Sequence, residues 1–292
     1  MSLVSLRGIW VPLVTPFADG RVDHPALAAL VRGFAGTGIR GLVACGSTGE
    51  AATLSHDEQQ AVLKTVLDNA GDMPVLMGVG GTEHLSMVVA CDAVQRWAVR
   101  PIAGFLVAPP AYLRPSQAGL RAYFEAVAEA SPLPVVLYDV PSRTGVRIET
   151  ATMLALAAHP RIVGVKDCSG DLDHLQAIVS DGRLQVLCGD DARIFASVCL
   201  GAVGAVAASA HVHPGRFAEL LRRVEANQLD AARESWRRLW PLTMAMFAEP
   251  NPAPVKAALA MLGLMRDELR APMVSAGAET RKRLEEALKA LG

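Results

Sequence analysis

Short apolar runs alternate along this chain with longer stretches in which apolar positions recur every three or four residues. The first pattern reads as strands buried on both faces, the second as helices with one apolar face. Gly8 to Val14 is the first run, stopped by Pro16, and a helix follows from Val22 to Gly36 with Asp23 as N-cap and Pro25 early in its first turn. Gly38 to Ala44 is the second, and Ser55 then opens a helix with Glu58 at capping-box spacing. Pro74 to Val79 precedes a helix from about Glu83 to Trp97, and Ile102 to Ala108, ended by Pro109-Pro110, precedes one from Ser116 to Ala130. Pro134 to Val140 is followed by Pro141-Ser142-Arg143-Thr144-Gly145 as a loop, then by a helix from about Thr150 to Ala158. Ile162 to Lys166, Leu184 to Cys188 and Ala202 to Ala208 complete the strands, with helices at Leu172 to Val179 and Ala192 to Leu200 between them.

Eight strand-then-helix units, each about 27 residues long, are the count of an α/β fold of the (β/α)8 TIM barrel type. An open doubly wound sheet is the rival, but it would carry a glycine fingerprint after the first strand, and Pro12-Leu13-Val14-Thr15-Pro16 is not one. Past residue 214 the strands stop, and Arg216 to Ala226, Leu229 to Ala248, Pro254 to Leu264 and Glu279 to Leu291 all read as helices. The expected organisation is a barrel core over 1–214, with a closing helix and a C-terminal helical appendix over 215–292 packed on it.

Composition narrows the function classes. Hydrophobic residues make up 51% and charged ones 20%, enough for a large core, while aromatics at 5% leave that core to Ala, Val and Leu. A formal net charge of −1 with no basic block gives no footprint for nucleic acid. No apolar run approaches the ~20 residues of a membrane span, and Met1 to Arg7 is too short and too polar for a signal peptide. Cys45, Cys91, Cys168, Cys188 and Cys199 are odd in number and form no C-x-x-C pair. They read as free thiols of a reducing compartment, with the cytoplasm as default.

In such barrels chemistry sits at the C-terminal ends of the strands. Those ends carry Thr15, Ser47 and Thr48, Tyr112, Tyr138 and Arg143, Lys166, and Gly189 with Asp190. Of the five lysines (Lys64, Lys166, Lys256, Lys282 and Lys289) only Lys166 falls on an expected strand. Burying an ammonium costs several kcal/mol or lowers its pKa, and a neutral amine can attack a ketone to form a Schiff base. The bland alternative is a lysine that reaches solvent or pairs with Asp167. Gly46-Ser47-Thr48-Gly49 is either a plain loop or a carboxylate-sized anion cradle. Tyr138 reads equally as a core aromatic, and Arg143 as a solvated loop cation or a carboxylate fork.

Two features point toward metal without sustaining it. His211 and His213 would share a strand face, but no third ligand accompanies them. Asp190-Asp191 is read as helix N-capping in preference to an ion site. No metal and no organic cofactor is expected.

Gly46-Ser47-Thr48-Gly49-Glu50, Tyr138-Asp139-Val140-Pro141-Ser142-Arg143-Thr144-Gly145, Gly164-Val165-Lys166-Asp167 and Asn251-Pro252-Ala253-Pro254-Val255-Lys256 together resemble the dihydrodipicolinate synthase / N-acetylneuraminate lyase superfamily. The resemblance spans roughly residues 7 to 262. It implies a class I aldolase that forms a Schiff base with pyruvate, with Lys166 as the Schiff-base lysine and Tyr138 relaying protons at the imine carbon. Ser47 and Thr48 would bind the pyruvate carboxylate, with Ser47 in the relay. Tyr112 would reach into a neighbouring subunit's site, and Gly189 and Val206 would line the pocket.

Arg143 resembles the synthase branch, where it meets the carboxylate of aspartate semialdehyde. Gly-Ser-Thr-Gly-Glu, and Ala111 in place of the first residue of a Tyr-Tyr pair, depart from that branch. The implied activity is condensation of pyruvate with L-aspartate 4-semialdehyde to 4-hydroxy-tetrahydrodipicolinate, in lysine and diaminopimelate biosynthesis. A sister aldolase or dehydratase of 2-keto-3-deoxy sugar acids or N-acetylneuraminate is the alternative, and an inactive binding barrel the third reading. A homotetramer, as a dimer of dimers, is the implied assembly, with neither nucleic acid nor membrane as partner. Of the residues that form the lysine-effector site in such enzymes only His56 matches. Ala51, Gln59, Ala111 and Gly81-Thr82-Glu83 do not, so little inhibition by lysine is expected.

Overall fold

The structure is a computed structural model that describes residues 4–80, 94, 96 and 98–292. Eight strands form one closed parallel barrel: β1 Gly8–Pro12, β4 Gly41–Ala44, β5 Val75–Val79, β6 Gly104–Val107, β7 Val135–Asp139, β8 Ile162–Asp167, β9 Gln185–Cys188 and β10 Gly204–Val206. Round the barrel the order is β1, β10, β9, β8, β7, β6, β5, β4, and β4 pairs back onto β1. The expected (β/α)8 architecture is therefore the observed one. The sequence pattern missed one small element, an antiparallel hairpin of β2 Phe17–Ala18 and β3 Arg21–Val22. At two residues each, these strands are too short to leave a periodic signal.

Every position of β4, β6, β7 and β8 is buried, as near-continuous apolar runs require. Alternation sorts them into two layers. Trp10, Val43, Leu76, Leu106, Val136, Tyr138, Leu187 and Val206 cluster inside the barrel, while Leu42, Val75, Phe105, Leu137 and Val165 pack outward against the helices. Trp10 fills the lower barrel and donates its indole N–H to the Leu6 carbonyl at 2.8 Å. A Cβ at Gly41 would stand 2.6 Å from the Trp10 ring, which is why that strand begins on glycine.

The helices start where their caps predict. Asp23 Oδ1 accepts from the Ala26 N–H at the head of His24–Gly33. Ser55 and Glu58 close a reciprocal capping box at the head of His56–Asn69, and Ser116 caps Gln117–Ala130. The helix expected over Glu83 to Trp97, with Cys91 inside it, lies outside the described residues except for Val94 and Arg96, which are helical.

After β10 come the helices Pro214–Glu225, Leu229–Met246, Ala253–Met261 and Ala278–Leu291. The first packs on β1. The others build a second apolar cluster, in which Leu242, Met246, Leu259 and Leu284 meet Val14 and Leu30 of the barrel's first unit. No helix among the described residues is long and apolar enough to cross a membrane.

Candidate active site

β7 and β8 set the centre. Tyr138 stands opposite Lys166 in the parallel register, and each is the next-to-last residue of its strand. Both side chains point into the barrel mouth, because Tyr138 belongs to the interior cluster while Leu137 and Val165 face outward. Lys166 is 6% and Tyr138 8% exposed, and the Lys166 Nζ sits 4.0 Å from the centre of the Tyr138 ring. That placement suits an ammonium over a π face.

Burial works to lower the Lys166 pKa, but Tyr138, Cys168 and Asp191 together outweigh it and leave the pKa above the ordinary lysine value. The depressed pKa considered from sequence is thus not what the resting protein has. Burial acts alone only where no partner is near, and here three groups that stabilise positive charge surround the amine. Lys166 rests as a cation and must lose a proton before it can attack a carbonyl.

Gly189 explains its own identity. A Cβ there would lie 2.7 Å from Lys166 Cγ, 2.8 Å from its Cε and 2.4 Å from Cys168 Sγ, so the lysine stem runs directly over this glycine. Its N–H donates to the Asp167 carbonyl at 2.8 Å. Gly189→Ala is expected to displace the amine by about 1 Å and to cut kcat roughly 100-fold while far-UV circular dichroism stays unchanged. A variant that keeps the wild-type kcat would show that Gly189 does not set the lysine's position.

Ser47 and Thr48 follow β4, which lies four strands from β8 in either direction and so faces it across the mouth. Thr15 shapes their turn by donating its hydroxyl to the Gly49 carbonyl at 2.7 Å. Asn251 Nδ2 donates to Thr48 Oγ1 at 2.9 Å, and its backbone carbonyl accepts from Arg143 Nη2 at 3.2 Å. Asn251 therefore joins the two substrate-binding candidates that the sequence could only place separately. Arg143 sits on a helical turn, Pro141–Thr144, closed by Gly145 at φ +74°, where a loop was expected. Among the described residues no carboxylate pairs with Arg143, so its guanidinium remains available to an acidic ligand.

Val206 is buried in the interior cluster with Tyr138. Tyr112 does not reach this chain's own centre: it is 92% exposed, at φ +74°. Arg114 from the same loop lies against Gly145, where a Cβ would stand 2.6 Å from the arginine Nε. The loop that displays Tyr112 thus braces the turn that carries Arg143. At the position of the effector site, Gln59 spends its amide on the Ala51 and Leu54 carbonyls, both at 3.3 Å, while Gly81-Thr82-Glu83 lies outside the described residues.

The histidine pair and the acid pair have other work. His211 is buried, accepts the Val14 N–H on Nε2 at 3.2 Å and has Nδ1 2.8 Å from the Ala208 carbonyl, so it carries its proton on Nδ1. Burial lowers its pKa from 6.5 to about 4. Above the unfolded value both states are neutral. As pH falls from 6.5 toward 4 only the unfolded chain takes up the proton, so stability is lost across that window, by about 3 kcal/mol. His211→Gln should flatten the dependence of the urea midpoint on pH there. Equal slopes for the variant and wild type would exclude His211 as the source. Asp190 caps the next turn through the Ala192 N–H at 3.1 Å, but Asp191 does not cap. It is buried, accepts from the Ser209 and Ala208 N–H groups, and ties β9's loop to β10's; burial pushes its pKa up to about 6.

Two buried clusters escaped the sequence reading. Lys256, wholly buried, pairs with Glu50 and donates to the Glu268 carbonyl at 2.8 Å, over the Phe17 ring at 4.2 Å. Glu50 also accepts from the Arg270 N–H at 3.1 Å, and Arg270 pairs with Glu58. Behind β7 and β8, Asp139, Asp167 and His174 come together, all buried. Burial, with Asp167 close by, pushes the Asp139 carboxyl up to about 7. Glu50, Lys256, Asp139 and Asp167 stand in the motifs quoted above, but nothing local in the sequence brings them together, since each set joins residues from separate units.

The family model described as the dihydrodipicolinate synthetase family matches residues 5–291. The chain belongs to the dihydrodipicolinate synthetase family. A 4-hydroxy-tetrahydrodipicolinate synthase of Sorangium cellulosum is 41% identical over 297 residues, covering 100% of this chain and 98% of that protein. A chloride-inhibited dihydrodipicolinate synthase of Acinetobacter baumannii, solved with pyruvate, superposes with a TM-score of 0.94 at 33% identity over 98% of this chain and 99% of that one. A monomeric dihydrodipicolinate synthase variant superposes equally well, at 0.94 and 32% identity, over 97% of this chain and 96% of its own. Family membership thus fixes the barrel and leaves the number of subunits free.

Proposed function

We propose that this chain is a 4-hydroxy-tetrahydrodipicolinate synthase, condensing pyruvate with L-aspartate 4-semialdehyde through a Schiff base on Lys166. The observation that carries the reading is the buried Lys166 amine over the Tyr138 ring at the barrel mouth, the only lysine placed there among the described residues. Resting as a cation, Lys166 passes a proton to the relay of Tyr138, Ser47 and the Tyr112 of a neighbouring subunit. The neutral amine then adds to the pyruvate ketone and water leaves. Ser47 and Thr48 hold the pyruvate carboxylate, with Asn251 fixing the Thr48 hydroxyl. The iminium withdraws electrons, so a methyl proton is lost and an enamine forms. Its carbon attacks the aldehyde of the second substrate, whose carboxylate Arg143 holds. The amine of that substrate displaces Lys166, closing the ring and freeing the enzyme. Gly189 and Val206 line the pocket. Hydroxyls both donate and accept, which a proton relay requires.

The exposed Tyr112 supports an assembly of at least two chains, read here as a dimer of dimers. Free cysteines among the described residues suit a reducing cytoplasm. The test compares substrates. With pyruvate fixed, aspartate semialdehyde should give a kcat/KM at least about 100-fold above that for cleavage of 2-keto-3-deoxy sugar acids or N-acetylneuraminate, the worth of one well-placed ionic contact. Arg143→Leu should lose most of that preference. Faster turnover of a sugar acid would assign the chain to the sister reaction instead.

A further inference from the structure

Asp139 and Asp167 directly follow Tyr138 and Lys166 and stand opposite each other in the β7–β8 register. Their side chains therefore leave the barrel on its outer face and enter the layer beneath the helix Leu172–Asp181, whose first turn supplies His174. One donor atom from each of the three lies within 4.8 Å of the others. All three residues are buried, at 0%, 5% and 2% exposure for Asp139, Asp167 and His174.

The hydrogen bonds of the group are half filled. Asp139 Oδ1 accepts from the Ile148 N–H at 3.1 Å and Asp167 Oδ1 from the Ser169 N–H at 2.8 Å, so each carboxylate is anchored by one oxygen. Asp139 Oδ2 and His174 Nε2 have no hydrogen-bond partner, although both are sealed from solvent. They face each other at 4.0 Å, too far for a direct hydrogen bond. On the other side of the ring, His174 Nδ1 lies 2.8 Å from Thr150 Oγ1. With the Nδ1 proton directed to that hydroxyl, Nε2 presents a bare lone pair to Asp139. This is the arrangement by which an outer hydrogen bond fixes a metal-binding histidine.

We propose that Asp139, Asp167 and His174 form a binding site for one divalent transition-metal ion of the zinc class. Metal–nitrogen and metal–oxygen bonds of about 2.0–2.2 Å let one ion contact both orphaned atoms with a small inward shift. Two carboxylates balance its double charge. Arg147, whose charge acts through space on Asp139 and His174, pairs with Asp171 at 3.0 Å. An imidazole among so few ligands disfavours Mg²⁺ and Ca²⁺, which take oxygen and more of it. The ion touches no reacting atom. It joins β7, β8 and the helix Leu172–Asp181 behind Tyr138 and Lys166, so the three ligands are positioning residues.

The test uses the full chain, stripped with a chelator, loaded with Co²⁺ or Zn²⁺ and desalted. One ion per chain by plasma emission, a visible d–d band with Co²⁺, and a higher melting temperature with Zn²⁺ are the expected results. His174→Leu and Asp139→Asn should each bind at least about 100-fold more weakly. Wild-type protein that retains no stoichiometric metal overturns the site, whatever the variants do, and leaves Asp139 and His174 to share a proton. Equal uptake by His174→Leu overturns it too. Because the ligands face away from the barrel mouth, either negative result leaves intact the substrate comparison and the trapping, by borohydride, of a pyruvate imine on Lys166, so this inference and the synthase reading fail separately.

Discussion

Lys166→Ala should lose on the order of 10⁴-fold or more in kcat, about 5.5 kcal/mol of transition-state stabilisation, and yet remain folded. The loss is large because no other group in the mouth can form the iminium: of the five lysines, Lys256 is committed to Glu50 and the other three sit on helices away from the strand ends. The fold should survive because Asp191, the carboxylate that acts on this ammonium through space, keeps its hydrogen bonds from the Ser209 and Ala208 N–H groups when the lysine is gone. Incubation of wild type with pyruvate and borohydride should leave a mass adduct that maps to Lys166, and the variant should take up none. A variant that keeps most of its activity, or a wild type that forms no adduct, would rule out both aldolase readings at once.

The other deeply buried lysine should behave in the opposite way. Lys256→Met is expected to destabilise the protein by about 3–5 kcal/mol, measured by urea unfolding. It strands Glu50, itself 5% exposed and left with the Arg270 N–H alone. For a chain of this size that is a fall of about 10 °C in melting temperature. The double variant Glu50→Gln with Lys256→Met should recover at least half of the loss, because neither partner then carries a charge into the core. A single variant within about 1 kcal/mol of wild type would mean that the pair contributes little. Two buried lysines thus serve different ends, and what separates them is whether a carboxylate is paired directly with the ammonium.

That distinction marks the limit of what could be read from the residues in order. The eight strands were legible because alternation and apolar runs are local properties, and Lys166 stood out because its run ended on a charge. Asp23 and Ser55 announced their helices for the same reason. The pairing of Lys256 with Glu50, the bridge that Asn251 makes between Thr48 and Arg143, and the convergence of Asp139, Asp167 and His174 were not legible. Each joins side chains from distant units, and only closure of the barrel brings them within reach. The upward shift at Lys166 was hidden too, since burial alone suggested the reverse and the outcome depended on where Tyr138, Cys168 and Asp191 came to lie.

Asn251, Lys256 and Arg270 grip the Ser47–Glu50 turn and its flank from the far end of the chain. A ribosome releases residues in order, so all eight strands leave the exit tunnel before these three do. A nascent barrel can close while the Ser47–Glu50 turn still lacks the amide and the counter-ion that fix its shape. The shape of that turn is then acquired only once Asn251, Lys256 and Arg270 have been made.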